Sequence, residues 1–244
     1  MKANVDSMSS EKACSKSFAI SFIVPVRKDP RVSQCVNQLR AYMASESLNA
    51  EILICGEQED WKSANDAKFV RVVPADKGRC IRQGVLASTG DIVIVCDADF
   101  PVLPCDITSL RNKMMCADVA LGNRCLPESE FIVIPPCYRR FASIAFRSVV
   151  GALFKMRGFD TQCGIKAFAR SVALALFENE VATSFAFDVQ ILLRARRKQM
   201  RIVQVPVHWK SSVASTVNVW RSVPSVVADL LRFWVDYKLR DISA

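Results

Sequence analysis

Two carboxylates separated by one residue, Asp97 and Asp99, are the sharpest chemical feature of the sequence. They follow the apolar run 91–96, whose composition predicts a buried strand of a parallel sheet. Open α/β sheets bind their ligands at the carboxyl ends of such strands. A pair of this kind suits Mg²⁺ or Mn²⁺, which take one or two carboxylates and complete their shell with substrate phosphates. Two solvated aspartates in a turn would give the same pattern, so the neighbouring motifs are needed to distinguish them from a metal site.

Glycines and cations at other predicted element ends favour a site for an anion. Lys77 and Gly78 open a predicted helix and supply an ammonium group with free backbone N–H donors. Arg124 follows Gly122 after another predicted strand, which places a guanidinium at the same edge of the sheet. The chain has 33 Lys and Arg against 24 Asp and Glu, a net charge of +9. A nucleotide, a phosphorylated substrate, an acidic membrane and nucleic acid all fit that charge.

Strand and helix patterns alternate along the chain and predict the scaffold for these residues. Predicted strands occupy 18–25, 51–56, 69–73, 91–96, 118–121 and 201–207, and predicted helices occupy 32–44, 80–87, 139–154, 184–197 and 223–239. Between them, 126–137 holds three prolines and is predicted as a long loop. The alternation predicts an α/β fold with a mostly parallel sheet flanked by helices. At 244 residues the chain is one large domain or two small ones.

Several classes of protein are excluded by composition. No run of 18 apolar residues exists, which excludes an ordinary transmembrane helix, and the N-terminal residues lack the apolar core of a secretory signal. The ten cysteines form no Cys-x-x-Cys pair and His208 is the single histidine, so zinc-finger spacing and histidine-based nucleophiles are absent. Single cysteines without paired spacing are typical of a protein kept in a reducing compartment. The chemistry therefore depends on carboxylates, basic groups or a metal held by oxygen.

Motifs in a fixed order over 18–215 resemble a known family. Lys77-Gly78-x5-Gly84, Ala87-x2-Gly90-Asp91, Asp97-Ala-Asp99 and Gly122-x-Arg124 are followed by Asp160-Thr-Gln-Cys-Gly-Ile-Lys-Ala-Phe168, Phe185-Ala-Phe-Asp188 and Val205-Pro-Val-His-Trp209. This set resembles the family 2 glycosyltransferases, in particular the dolichyl- and polyprenyl-phosphate sugar synthases. The resemblance implies a GT-A, Rossmann-like α/β fold. It implies one glycosyltransferase domain at 17–212, with a nucleotide-sugar half at 17–125 and an acceptor half at 126–212. On either side, composition and periodicity predict a flexible polar tail at 1–16 and a C-terminal amphipathic helical segment at 213–244.

The same resemblance implies a role for each matching residue. Asp97 and Asp99 would lie by a Mg²⁺ or Mn²⁺ ion and the nucleotide-sugar diphosphate, and Asp99, Asp188 and Arg124 would be catalytic. The other substrate-binding positions would be Pro25, Asp29, Asp76 and Lys77 at the nucleotide, and Lys166, Arg139 and Arg140 at phosphates. Asp29 stands where the family usually has Glu, and Asp188 is the only carboxylate of its motif.

The expected function is inverting transfer of a sugar from a nucleotide donor, similar to UDP-glucose or GDP-mannose, to a polyprenyl or dolichyl phosphate. A phosphomonoester has its second pKa near ~6 and is already an anionic nucleophile at neutral pH, so no strong base is needed. A hydroxyl acceptor is one alternative, and it would need Asp188 or another carboxylate as base. A non-catalytic nucleotide- or nucleic-acid-binding protein is another, suggested by a pI of 9.2. Nucleic acid is disfavoured because the three tyrosines form no aromatic platform among the basic residues.

The C-terminal pattern at 223–239 bears on how a lipid acceptor is reached. Its apolar residues recur at i, i+3 and i+4 with cations nearby, which fits an interfacial helix and a core-packing helix equally well. Together with the loop 126–137, it predicts peripheral attachment to an anionic membrane surface at the cytoplasmic face. The sugar, the nucleotide base and the oligomeric state are not fixed by the sequence.

Overall fold

The structure, a computed structural model, describes residues 19–27, 29–57, 67–211 and 219–241. The predicted tail at 1–16 lies outside these residues. The described strands are β1 (Ile20–Pro25), β2 (Ala50–Gly56), β3 (Lys68–Arg71), β4 (Ile92–Cys96), β5 (Val119–Asn123), β6 (Glu130–Val133), β7 (Ile165–Ala169), β8 (Ile202–Pro206) and β9 (His208–Lys210). The described helices are α1 (Val32–Ser45), α2 (Lys77–Ala87), α3 (Pro104–Lys113), α4 (Cys137–Phe154), α5 (Arg170–Phe177), α6 (Phe187–Arg197) and α7 (Val219–Asp241).

Seven of the described strands form one sheet in the order β3-β2-β1-β4-β7-β5-β8. All neighbouring pairs are parallel except those of β7, which runs antiparallel to both β4 and β5. This confirms the predicted α/β fold with a mostly parallel sheet. Because β7 is reversed, its first residues lie beside the carboxyl ends of its neighbours: Ile165 pairs with Cys96, and Lys166 pairs with Val95 and Leu121.

Apolar side chains on the two faces of the sheet build two cores. Successive residues of a strand point to opposite faces, so Phe22 packs in one cluster with α1 and α3, and Ile23 packs in the other with α2, α5 and α6. Both side chains are fully buried. The central strands are therefore covered on both sides, which is why they are continuously apolar in the sequence. Their polar ends project from this dry interior.

The segment predicted as a long loop at 126–137 contains a strand, so that prediction was wrong in part. β6 pairs in parallel with β9 in a second, two-stranded sheet. The three prolines of the segment flank the strand rather than interrupt it, so the apolar residues Phe131–Val133 are free to pair.

Helices α3 and α5 and strands β7 and β9 were not predicted. β7 has a lysine at its second position, which breaks the apolar run that marks a buried strand. Helix α2 starts three residues before the predicted start at 80. Its first turn is polar, so the apolar periodicity did not include it. Helix α6 starts three residues after the predicted start at 184, because Ser184 bonds the Ala186 and Phe187 amides with its hydroxyl and carbonyl oxygens.

Helix α7 divides its apolar residues between two environments. Leu230 and Phe233 are buried in the main core, and Trp234 packs against it. Val227 and Leu231, on the opposite side, are about half exposed. The two interpretations of this helix, core-packing and surface, each hold for one of its faces.

Gly90, before β4, tests how closely β1 and β4 are packed at their amino ends. A Cβ there would lie 2.7 Å from the carbonyl carbon of Ile20 and the amide nitrogen of Ser21, which are backbone atoms that cannot rotate away. We expect Gly90→Ala to lower the free energy of unfolding by about 1–3 kcal/mol through strain, as measured by urea denaturation. Gly151→Ala in α4 is the control. It meets Arg157 at 3.3 Å at the closest, and we expect it to be neutral or stabilising by up to about 1 kcal/mol. Equal destabilisation by both variants would contradict the packing described.

Candidate active site

Asp97 and Asp99 leave the sheet at the carboxyl end of β4, as predicted. The Asp97 amide donates to the Gly164 carbonyl at 3.2 Å, and its own carbonyl accepts from the Phe100 amide at 3.0 Å. The turn that results leaves both carboxylates partly exposed. Gly164 is required here, because a Cβ at that position would collide with the Asp97 carboxylate. The start of β7 thus forms the cradle in which Asp97 lies.

Lys77 ties helix α2 to this carboxylate. Its Nζ lies 2.8 Å from Asp97 Oδ1. Burial alone would lower the pKa of Lys77, but the charges of Asp97 and Asp188 outweigh it and raise that pKa above its ordinary value. The Asp76 side chain caps α2 by accepting from the Arg79 amide at 2.9 Å. This cap fixes the start of the helix at Lys77, beside Asp97.

Asp188 and Lys166 form a buried ion pair next to Lys77. Lys166 Nζ lies 2.8 Å from Asp188 Oδ1 and donates to the Cys163 carbonyl at 2.6 Å. Both residues are at least nine-tenths buried. β7 delivers the lysine and the first turn of α6 delivers the aspartate. Lys166 was predicted to offer positive charge to phosphates, and the structure gives that charge a carboxylate partner inside the protein.

Arg31 joins the remaining carboxylates and was missed at the sequence level. Its Nε and Nη2 donate to the Asp29 carboxylate at 2.8 and 2.6 Å, and its Nη1 lies 3.5 Å from Asp99 Oδ2. The guanidinium holds the pKa of Asp29 below its ordinary value, chiefly by the side-chain hydrogen bond. The two-residue spacing from Asp29 to Arg31, just before a helix, was the available signal. We call Asp29, Arg31, Asp99, Asp97, Lys77, Asp188 and Lys166 the charge network.

The charge network has four carboxylates and three cations, and its chemistry suits a divalent metal. Burial, followed by the nearby charge of Asp97, raises the pKa of Asp99 to about 6. The nearby guanidinium of Arg31 favours the charged form of Asp99, but it does not fully compensate for burial and for the charge of Asp97. Carboxylate oxygens are hard donors, the kind of ligand that Mg²⁺ and Mn²⁺ use. The residues present thus fit such an ion at Asp97 and Asp99.

Arg124 is held by Asp160, the first residue of the motif at 160–168. The sequence did not indicate this pairing. The Nε and Nη2 of Arg124 donate to the two carboxylate oxygens of Asp160 at 2.6 and 2.8 Å, and its backbone amide donates to the same group at 3.1 Å. Burial would raise the pKa of Asp160, but these bonds outweigh it and lower that pKa. The guanidinium also stacks on the Trp209 ring, with its carbon 4.7 Å from the centroid. Arg124 is fixed at the sheet edge with its charge paired.

The other predicted residues occupy separate positions. Pro25 ends β1 and is buried. Asp76 caps α2 and lies 3.3 Å from the Arg79 guanidinium. Arg139 and Arg140 stand in the first turn of α4, and the Arg139 guanidinium lies 5.8 Å from the Tyr138 ring. Their sequence neighbours Tyr138 and Phe141 are exposed apolar residues of α4.

The buried pair of Arg124 and Asp160 should be essential to the fold of this edge. We expect Asp160→Asn to lower the free energy of unfolding at pH 7 by about 3–5 kcal/mol, because it leaves a mostly buried guanidinium without its counter-charge. The pKa of Asp160 is lowered in the folded state, so this stability is present above the unfolded pKa of about 3.9 and is lost as the pH falls toward the folded value. The difference between the two proteins should therefore shrink below pH 4.

Glu180→Gln is the matched control in the same urea denaturation series. Glu180 pairs with Arg82 at 3.7 Å and its side chain is 76% exposed, so its loss should cost less than about 1 kcal/mol. An Asp160→Asn variant as stable as this control would refute the assigned pairing.

Relatives of known activity share sequence with the chain over most of its length. No protein-family model matches it. It is 29% identical over 170 residues to a dolichyl-phosphate beta-glucosyltransferase of Trichomonas vaginalis, covering 67% of this chain and 51% of the relative. It is 27% identical over 250 residues to the dolichyl-phosphate beta-glucosyltransferase of Drosophila melanogaster, covering 91% and 76%. The chain spans about half the length of several curated relatives it matches.

Solved structures share the fold. The glucosyl-3-phosphoglycerate synthase of Mycobacterium tuberculosis, solved with Mn²⁺, UDP and phosphoglyceric acid, superposes with a TM-score of 0.67 at 15% identity, over 89% of this chain and 78% of that one. The mannosyl-3-phosphoglycerate synthase of Rubrobacter xylanophilus gives 0.69 at 17% identity, over 88% and 73%. Together, the sequence similarity and this sheet show a GT-A fold and support a glycosyltransferase of family 2.

Proposed function

We propose that this protein transfers a sugar, in an inverting reaction, from a nucleotide sugar to a polyprenyl or dolichyl phosphate, with Mg²⁺ or Mn²⁺ assisting. The observation that carries the proposal is the charge network at the carboxyl end of β4, where the partly exposed carboxylates Asp97 and Asp99 face cations of α2 and the segment before α1. Relatives named dolichyl-phosphate beta-glucosyltransferase support the lipid phosphate and favour glucose.

The donor would bind at the end of β4. Asp97 and Asp99 would hold the ion, which supplies positive charge for the diphosphate of the donor and of the departing nucleotide. Lys77 and Arg31 already contact these carboxylates and would meet the phosphates as cationic neighbours. Asp76 at the α2 cap, Asp29 and Pro25 border the same edge and suit contacts to the nucleoside. Structures of neighbours with Mn²⁺ or Mg²⁺ and UDP support this arrangement.

The acceptor chemistry follows from what surrounds Asp188. Its carboxylate is 5% exposed and its Oδ1 is taken by Lys166 at 2.8 Å. An acceptor hydroxyl would need a base that it can reach, whereas a phosphomonoester is already an anionic nucleophile. The geometry therefore favours a phosphate acceptor, with Asp188 holding Lys166 and Lys77 in position. Arg124, Arg139 and Arg140 are the cations proposed to orient its phosphate.

An exposed apolar surface suits the lipid part of that acceptor. It comprises Phe131, Ile132, Val133, Ile134, Tyr138, Phe141, Ile144 and Val149 of β6, α4 and their connection, and Val223, Val227, Leu231, Val235 and Leu239 of α7. We call these residues the apolar face, and α4 and α7, which carry most of them, contact each other. In the described part of the chain, no helix has the length and hydropathy to span a bilayer. We assign this face to an anionic membrane surface on the cytoplasmic side. The same helices carry the cations Arg140, Arg232 and Lys238, and the net charge of the chain is +9.

A radiolabel transfer assay tests the function. With dolichyl phosphate and Mn²⁺, we expect transfer from UDP-glucose or GDP-mannose, and Asp99→Asn should lower kcat/KM by about 100-fold or more because stabilisation of the leaving diphosphate is lost. Asp91→Asn is the matched control, since it makes the same change at the exposed amino end of β4. Full activity of Asp99→Asn, or of the wild type in chelator, would contradict the metal assignment. Transfer to 3-phosphoglycerate but not to dolichyl phosphate would contradict the lipid acceptor.

Vesicle co-sedimentation tests the apolar face. We expect the wild type to sediment with anionic vesicles, less so as salt screens the attraction. Val227→Glu with Leu231→Glu should remove most of this binding without unfolding, because both side chains are exposed; Trp234, which packs on the core, is left unchanged. Met115→Glu is the control, since Met115 is exposed outside the apolar face. A folded double variant that sediments as well as the wild type would contradict this role.

A further inference from the structure

Three side chains with metal-binding atoms meet where the first turn of α3 contacts β9. Cys105 Sγ lies 4.0 Å from His208 Nδ1 and 4.0 Å from Asp106 Oδ1, and these two atoms are 2.8 Å apart. Within the described residues, this is the one group of three or more His, Cys, Asp or Glu side chains whose ligand atoms all lie within 4.8 Å of one another. Sequence spacing gave no sign of it, since 102 positions separate the aspartate from the histidine.

The aspartate of this group is already oriented. Asp106 is buried, and its Oδ2 accepts from the backbone amides of Leu103 at 2.8 Å and His208 at 3.1 Å. Its Oδ1 is thereby turned toward the His208 ring and the Cys105 thiol. β9 is held in place in turn, because the Lys210 amide donates to the Pro101 carbonyl at 2.7 Å. Two ligands therefore come from one helical turn and the third from an anchored strand.

The separations fit a tetrahedral ion. Zinc bond lengths of about 2.0–2.3 Å to N, O and S place neighbouring donor atoms roughly 3.4–3.6 Å apart. The observed separations of 2.8 and 4.0 Å bracket that range, so shifts of roughly half an ångström at the exposed Cys105 and the partly exposed His208 suffice. That exposure also leaves room for water as a fourth ligand.

We propose that Cys105, Asp106 and His208 form a second metal site, specific for a borderline-soft divalent ion such as Zn²⁺. Thiolate and imidazole ligands select such an ion over Mg²⁺ or Mn²⁺, which separates this site from the carboxylates at the end of β4. On binding, the Cys105 thiol releases its proton to solvent, and the neutral His208 ring binds the ion through Nδ1 with its single proton on Nε2. The ion would clamp α3 to β9, next to the Trp209 ring on which Arg124 stacks.

Cobalt titration of the full chain, in excess Mg²⁺ and a thiol-free reductant, tests the proposal. Co²⁺ should give visible bands of tetrahedral cobalt and a near-ultraviolet thiolate charge-transfer band, and Zn²⁺ should abolish both. Cys105→Ser should remove the charge-transfer band, and His208→Gln should weaken Zn²⁺ binding by about tenfold or more. Cys116→Ser, which removes another exposed thiol, should leave both bands unchanged.

Two results would overturn the site. One is a wild type that gives no cobalt–thiolate band, and the other is a band that survives in Cys105→Ser. Cys105 is exposed, so this variant keeps the fold even if His208→Gln, which loses the ion pair with Asp106, does not. Metal-free melting curves of each variant establish which of them are folded.

Discussion

Charge balance at the carboxyl end of β4 is the constraint on which the site depends. Asp97 contacts Lys77, Lys77 lies in the field of Asp188, and Asp188 pairs with Lys166. Each charge in this row is partly or fully removed from water, so removing one leaves a neighbour uncompensated. The inner members are satisfied within the protein, whereas Asp97 and Asp99 at the outer end stay open to solvent. We propose that a metal and a diphosphate join the network at its outer end and leave its buried end unchanged.

The reversal of one strand makes this row possible. β7 lies antiparallel between β4 and β5, so its starting residues meet the ends at which its parallel neighbours finish. Gly164 thereby gives Asp97 its space, and Lys166 reaches Asp188. The segment just before β7 supplies Asp160 to Arg124. β7 and the segment before it thus connect Asp97 with Asp188 and Arg124, which lie in later parts of the chain.

The sequence was informative where chemistry and periodicity coincide. The run before Asp97 is apolar throughout, and Lys77 precedes Gly78 at a helix start, so both sides of the first ion pair were predictable. β7 was not, because a lysine inside a five-residue strand breaks its pattern. Pairings such as Arg124 with Asp160 and His208 with Asp106 depend on tertiary contacts between distant segments, which motif spacing does not contain. Lys166 was expected at phosphates and Asp188 at the reaction centre, and the ion pair that joins the two appears only in three dimensions.

We propose that Asp97 and Asp99 hold a metal and a nucleoside diphosphate at the open end of the charge network. A crystal structure with Mn²⁺ and UDP, using the anomalous signal of manganese, would locate both groups. We predict a manganese peak bridging these carboxylates and the diphosphate, with Lys77 or Arg31 contacting a phosphate oxygen and the Lys166–Asp188 pair unchanged. A diphosphate bound elsewhere, or bound at this edge with no manganese at either carboxylate, would contradict the account.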